Sequence, residues 1–311
     1  MPYQHNQGFI FGTVYNITYQ HSGNLEKEVL KVLNEVDSSL SMFNKESVIS
    51  KVNRNEDVSL NEMFIEVFDK AQHVSADTDG AFDITVAPLV NHWGFGTTNT
   101  KQPTTNTPQA SSLDSLRQLV GYDKVKLSGK YIVKSDPRMM LDCSAIAKGF
   151  GSDKVAQLLS DKGITNFMVE IGGEIVAKGK NEHGDAWHIG VAKPNDNPDG
   201  DSELQTVLTL SDIAMATSGN YRNFYYQGNK KYAHTIDPRS GQPVQHTLLS
   251  ATVMAPTCAM ADAYATAFMV MGLDKATALL KRHPEMKAYF IYSGGAGEYL
   301  TKIVNGTAED F

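Results

Sequence analysis

The sequence predicts an α+β fold of mixed, largely antiparallel sheets with packed helices. Short runs rich in β-branched and aromatic residues recur along the chain, divided by turn residues. Two clear amphipathic helices stand among them near the N-terminus. No internal repeat and no GxGxxG or GxxxxGK[ST] phosphate loop is present.

In chain order, "FIFGTVYNITY" (9–19) reads as a first strand. A helix follows, with Leu25, Val29, Val32, Leu33, Val36 and Leu40 on one stripe. A second helix over 61–77 puts Phe64, Val67, Phe68, Ala71 and Val74 toward the core, and Gly80 stops it. Residues 97–112, "TTNTKQPTTNTPQASS", are polar and low in complexity, and read as an exposed loop within one domain of residues 1–311. A short helix and a hairpin (123–135) come next. Then "RMMLD" reads as a strand, "AKGFGSDKVAQLLSDKG" as a helix and "FMVEIGGEIVAKG" as a strand. Further strands are expected at "WHIGVAK", "LQTVLTL" and "AMATSG", and a hairpin turning near Gly228. Last come the strand "SATVMA", a buried helix over "PTCAMADAYATAF" (256–268) running on through "MVMG", another helix (274–282) and the strands "KAYFIYS" and "EYLTKIV".

Composition narrows the function. The 311 residues are 41% hydrophobic and 20% charged, ordinary for a soluble globular protein. The net charge is -7, with both signs mixed, so no basic block suggests nucleic acid or an anionic membrane surface. Nothing approaches transmembrane length. Two cysteines, Cys143 and Cys258, make no disulfide framework and no zinc cluster. The N-terminus "MPYQHNQ" lacks the cationic-then-apolar pattern of a signal peptide, so the expectation is a cytoplasmic protein or a leader absent from this chain.

Five segments hold residues a plain core would not choose. "TDGAFDITVAPLVNHWGFG" (78–96) combines glycines that allow close backbone approach with Phe82 and Trp93 as flat surfaces; a turn followed by a core strand fits it equally. "LDCSAIAKGFG" (141–151) stands at a strand-to-helix turn, where free N–H groups suit phosphate. Asp142 and Ser144 also fit plain helix caps, but Lys148 sits badly near the positive end of a helix, and an anionic ligand would explain it. "VEIGGEIVAKG" (169–179) places Gly172 and Gly173 in mid-strand; a bulge accounts for that without a ligand. "YAHTIDPRSGQPV" (232–244) is turn chemistry flanked by His234, a candidate base, and Asp237. Finally, Asp262 and Thr266 share one face of the apolar helix "PTCAMADAYATAF". Such a pair suits Mg2+ completed by phosphates and water; an Asp paired to a distant cation, with Thr as core filler, is the alternative.

Taken together, "DGAFDITVAPLVNHWGFG", "DCSAIAKG", "VEIGGE", "ATSGNYRNFY", "HTIDPRSGQPV" and "APTCAMADAYATAF" closely resemble, in order and spacing, the FAD:protein FMN transferase family known as ApbE. The resemblance runs from about residue 9 to the C-terminus. It implies a two-lobed α+β molecule with FAD in the cleft between the lobes. The implied reaction is attack of an acceptor protein's Thr or Ser hydroxyl on the FMN-side phosphorus of FAD, with release of AMP. Mg2+, or Mn2+ in its place, assists. Some similar proteins hydrolyse FAD to FMN and AMP instead, and an FAD-binding protein without catalysis is a third alternative.

The resemblance carries the metal site onto Asp262, Thr266 and the backbone carbonyl of Ala145. It carries flavin-nucleotide contacts onto Gly80, Ala81, Phe82, Asp142, Lys148 and Ile236. Phe11 and Phe43 stand where similar proteins have Met or Tyr, and both keep a surface for a ring system. Glu170 and the run that includes Ser218 and Gly219 are expected on the adenosine side. His234 is expected to activate the acceptor hydroxyl, with Asp237 as substitute or as an orienting group. Cys143 and Cys258 read as packing residues. Implied partners are FAD and acceptor flavoproteins, including subunits of ion-pumping respiratory complexes. The implied location is extracytoplasmic in a bacterium, periplasmic or on an inner-membrane lipid anchor, and a cytoplasmic variant stays open.

Overall fold

The chain begins with a hairpin where the sequence predicts one strand. β1 (Tyr3–Ile10) and β2 (Thr13–Gln20) pair antiparallel from Tyr3↔Gln20 to Ile10↔Thr13. The two-residue loop is Phe11-Gly12, with φ of 53° and 73°, the left-handed pair that a tight hairpin requires. A strand-length run of β-formers concealed the turn because Phe11 is not a usual left-handed residue. Packing holds it there: Phe11 lies against two apolar clusters.

Next come α1 (Glu26–Leu40), α2 (Val48–Asn53), α3 (Glu62–Asp77) and α4 (Ala87–His92). α1 and α3 match the predicted stripes, and α3 starts where Asn61 accepts the Phe64 N–H at 2.9 Å. α2 and α4 were not expected. α4 stands where a turn followed by a core strand was one reading of 78–96, with Pro88 in its first turn. The structure describes residues 1–96, 110–192, 204–210, 212–220, 224–228, 230–295, 297–308 and 310–311 of this computed structural model. Most of the predicted loop at 97–112 falls outside them, and α5 (Ala110–Arg117) takes its last residues.

β3 (Val125–Ser128) and β4 (Tyr131–Lys134) form the expected small hairpin. "RMMLD" is not a strand. Its backbone is satisfied by a side chain instead: Leu141 N–H donates to Asn53 Oδ1 at 2.7 Å, and Asn53 Nδ2 donates to Leu141 O at 2.9 Å. α6 (Ala147–Asp161) leads into β5 (Phe167–Ile171) and β6 (Glu174–Lys178). Gly172 and Gly173, with φ of 63° and 102°, are the turn of that hairpin and not a bulge.

The rest follows the prediction closely. β7 (Trp187–Ala192) pairs with β8 (Leu204–Leu210), β9 is Ile213–Gly219, and β10 (Phe224–Gln227) pairs with β11 (Lys230–Ala233). Then come β12 (Leu248–Ala255), α7 (Cys258–Met271), α8 (Leu273–Leu280), β13 (Lys287–Gly295) and β14 (Glu298–Val304).

One antiparallel sheet runs β1-β2-β5-β6-β9-β12-β13-β14. On one face Ala216, Val253 and Phe290 pack against α3, α7 and α8. On the other, Met215, Met254 and Ile291 pack under Trp187 and Leu208 of the β7–β8 hairpin. Both faces of β12 are covered, so its residues are buried almost without alternation, Ser250 and Thr252 included. A separate small cluster joins Leu89 and Trp93 to Leu113 and Ile236. Its Val86, Val90, Phe95 and Ile236 also line the cavity described below. Among the described residues no helix is long and apolar enough to cross a membrane.

Candidate functional site

α6 and α7 meet at their N-terminal turns, and that meeting builds the floor of the site. A Cβ on Gly149 would stand 2.3 Å from the Cys258 carbonyl oxygen, so only glycine permits this approach. Asp153, one turn further along α6, caps α7 from outside: its two carboxylate oxygens accept the Cys258 and Ala259 N–H groups at 2.8 and 2.9 Å. Asp262, midway along α7, accepts the Gly149 N–H at 3.1 Å. Its carboxylate is therefore buried, 3% exposed, yet hydrogen-bonded.

Above this floor lies a cavity of about 440 Å³. Asp262, Thr266, Ala145, Lys148 and Glu174 supply its polar side, and Phe82, Ile84, Met42, Phe43 and Val270 its apolar side. Asp142, Ala81, Ser218, Gly219, His234 and Ile236 complete the predicted set that reaches it. Thr266 Oγ1 lies 3.2 Å from Ser218 Oγ, tying α7 to β9. Asp142 lines the cavity and accepts the Ser144 N–H at 2.8 Å in the turn before α6, but neither residue caps that helix, whose N-cap is Ile146 without a side-chain bond.

Four predicted residues lie elsewhere. Phe11 lines a neighbouring cavity of about 110 Å³, which shares Met42, Phe43, Ser144 and Lys148 with the main one. Gly80, with φ of 71°, closes α3 by donating to the Ser75 carbonyl, and its Cα faces the Tyr122 ring. Glu170 does not line the cavity; it accepts a 3.2 Å bond from Asn16 Nδ2 on the neighbouring strand. β5 alternates its faces, so the "VEIGGE" acid that reaches the cavity is Glu174, beyond the turn. Asp237 lies outside the cavity lining. Its carboxylate holds the Arg239 guanidinium at 2.9 and 3.0 Å and accepts the Arg239 N–H, which fixes the "DPRSG" turn.

His234 sits at the rim beside an aromatic stack. Trp93, Tyr232, Tyr225 and Phe95 follow one another with centroids 5.7, 5.4 and 5.3 Å apart, and Phe95 meets the His234 ring edge-on at 6.3 Å. Trp93 Nε1 donates to Gly241 O at 2.8 Å, which ties the stack to the "DPRSG" turn.

The charges on the floor are tightly linked. Lys148 Nζ lies 2.6 Å from Glu174 Oε1. Burial pulls the Lys148 ammonium down, but Asp262 and Glu174 together outweigh it and hold it above its ordinary range. Burial pushes both carboxyls up, with Lys148 opposing in each case. Glu174 Oε2 is buried without a hydrogen-bond partner among the described residues. Two carboxylates thus face one ammonium, which leaves the floor short of positive charge when both are ionised.

Hard oxygens in this number suit a cation completed by water and phosphate oxygens, and the donors present fit Mg2+ or Mn2+. Among the described residues no cluster of three or more His, Cys, Asp or Glu offers a self-sufficient metal cage. Both thiols are buried with raised pKa, burial being the main cause, so neither is a ready nucleophile. Sequence reasoning missed Glu174, Asp83 and Met42 on the cavity wall. An acid directly after a Gly-Gly turn was the available signal for Glu174; Met42 carried none.

Fold and site define an α+β protein with a deep ligand cavity floored by acids and one lysine at a helix–helix junction. The sequence model of the ApbE family matches residues 11–290, and the chain belongs to that family. It is 36% identical to the FAD:protein FMN transferase of Haemophilus influenzae, covering 95% of this chain and 88% of that protein. It is 37% identical to the FAD:protein FMN transferase of Vibrio cholerae over 88% of this chain and 83% of that protein. Among solved structures, the flavin transferase ApbE from Vibrio cholerae superposes with a TM-score of 0.86 at 34% identity, covering 97% of each chain. The apo flavinyl transferase ApbE of Pseudomonas stutzeri gives 0.86 at 31% identity, covering 97% of this chain and 95% of that one.

Proposed function

We propose that this protein is a Mg2+-dependent FAD:protein FMN transferase, moving FMN from FAD to a Thr or Ser hydroxyl of an acceptor flavoprotein and releasing AMP. The observation that carries the reading is one cavity lined by Asp262 and Thr266 of α7, Lys148 of α6, and the Ala81–Phe82 wall, with His234 at its rim. The relatives' shared activity supports it.

In this reading Ala81, Phe82, Phe43 and Ile236 receive the apolar rings, while Asp142, Ser218 and Gly219 contact the rest of the nucleotide. Lys148 faces the pyrophosphate, where phosphoryl transfer depends on positioning and on charge stabilisation. Asp262, Thr266 and the Ala145 carbonyl would hold the divalent cation, which when bound neutralises phosphate charge. His234, at the open rim, accepts the proton of the acceptor hydroxyl. The acceptors belong to the class that includes respiratory ion-pump subunits, and the enzyme works outside the cytoplasm, in the periplasm or held to the membrane by a lipid anchor.

The test is mass spectrometry of a Thr-bearing acceptor domain incubated with the protein, FAD and Mg2+. The expected product is the acceptor heavier by FMN, with AMP released. EDTA abolishes it, and His234→Ala lowers it by about 100-fold or more. Free FMN formed equally fast without acceptor makes the protein an FAD diphosphatase instead. FAD left intact with acceptor and Mg2+ present makes it a binding protein.

A further inference from the structure

We infer that Glu174 is a positioning residue: it holds the Lys148 ammonium aside, so that Asp262 is left free for the divalent cation. The inference rests on the cation reading above and adds a residue to it.

The difficulty it resolves is one of charge. Lys148 and Asp262 line the same cavity, and the Asp262 carboxylate already accepts the N–H of Gly149, the residue after Lys148. A lysine left to pair with Asp262 would occupy the carboxylate that the cation needs. It would also stand as a positive charge against the incoming cation in a poorly solvated site. Glu174 is placed to prevent this. It opens β6 directly after the Gly172-Gly173 turn, and its backbone carbonyl accepts the Ser152 hydroxyl at 2.9 Å, so strand and α6 are locked together. Its side chain is 2% exposed and engages Lys148 at 2.6 Å through Oε1 alone.

A purely structural ion pair would satisfy both carboxylate oxygens. Here Oε2 is buried without a partner among the described residues, in a residue that lines the ligand cavity. Lys148 itself is 30% exposed on its side chain, so the pair sits at the wall of the cavity and not behind it. Glu174 therefore gives the ammonium an anion of its own. Lys148 stays charged and directed at the substrate's phosphates while Asp262 serves the cation.

The test is Mn2+ binding to the full chain without FAD, followed by the spin resonance of free Mn2+, for the native protein, Glu174→Gln, Lys148→Met and the double variant. In Glu174→Gln the ammonium has only Asp262 left, and Mn2+ affinity falls about 10- to 100-fold, the usual cost of losing a group that orders a metal site. Adding Lys148→Met removes the competitor and restores affinity to near the native value. Lys148→Met alone binds Mn2+ at least as tightly as native, and this arm stands even where Glu174→Gln does not fold. Native-like affinity in Glu174→Gln overturns the inference. So does a double variant as weak as Glu174→Gln, which would make Glu174 a direct ligand. Weaker binding by Lys148→Met overturns it too. A native protein that binds no Mn2+ overturns the cation reading itself, whereas the flavin-transfer assay is scored separately on acceptor mass.

Discussion

The Gly149 N–H donates to Asp262 Oδ2 at 3.1 Å, joining the first turn of α6 to the middle of α7 at the proposed cation ligand. The contact exists because Gly149 has no side chain. A methyl there would stand 2.3 Å from the Cys258 carbonyl oxygen and 2.9 Å from the Ala259 nitrogen, both backbone atoms that cannot step aside.

Gly149→Ala is therefore expected to force the two helices apart. Helix propensity alone would favour alanine, but overpacking against backbone outweighs it, for a net loss of about 1–3 kcal/mol. Thermal melting followed by circular dichroism reads the loss, and FMN transfer falls with it because Lys148 and Asp262 move relative to one another. A melt unchanged or raised would show that the junction has slack.

Asp262→Asn separates function from stability. The asparagine keeps the shape and accepts from Gly149, but it loses the charge that a cation needs. Burial already pushes the Asp262 carboxyl up, so ionising it costs the folded state free energy. The expected result is loss of FMN transfer by about 100-fold or more, with a melting temperature in EDTA equal to or above native. A large fall in melting temperature would mean that Asp262 is primarily structural.

Much of this site was legible because chemistry left residues that packing would not choose: an Asp and a Thr in an alanine-rich helix, a lysine on a helix's first turn. Their convergence was not legible. Nothing local to "DCSAIAKG" says that Gly149 abuts Cys258; that is a fact about two helices far apart in sequence. Glu170 and Glu174 show the limit sharply. Both belong to "VEIGGE", and only the position of the hairpin turn decides which acid faces the cavity. Reading Gly172-Gly173 as a bulge kept one strand where there are two, and hid that Glu174, beyond the turn, lines the cavity. Phe11 failed for a related reason, since an aromatic residue at positive φ is held by tertiary packing that no local pattern records.

Asp153 carries a pH signature. Burial raises its pKa from 3.8 to about 6, against the opposing N–H bonds from Ala259 and Cys258 and the nearby Lys70, with Glu66 adding to the rise. The folded state thus binds this proton more tightly than the unfolded chain. The resulting stabilisation is full below about pH 4 and is lost as pH rises through 6, up to about 3 kcal/mol in all. Asparagine does not titrate. The difference in unfolding free energy, Asp153→Asn minus native, should therefore climb between pH 4 and 6 and then level off. Urea titrations across that range measure it, and a flat difference would show that the carboxyl is not raised.

Tyr225 offers a gain in stability next to the proposed base. Its ring lies within the stack, 5.3 Å from Phe95 and 5.4 Å from Tyr232. Its hydroxyl is buried without a hydrogen-bond partner among the described residues, and burial raises its pKa. Removing an unpaired buried hydroxyl while keeping the ring deletes a desolvation cost and leaves the stack whole. Tyr225→Phe should stabilise the fold by about 1 kcal/mol, and the contact of Phe95 with His234 should be preserved. The measurement pairs a thermal melt with the transfer rate. A raised melting temperature at unchanged rate fits a ring that acts only by stacking. A lowered melting temperature, or a rate that falls while the fold holds, would show that the hydroxyl has a partner in the working enzyme.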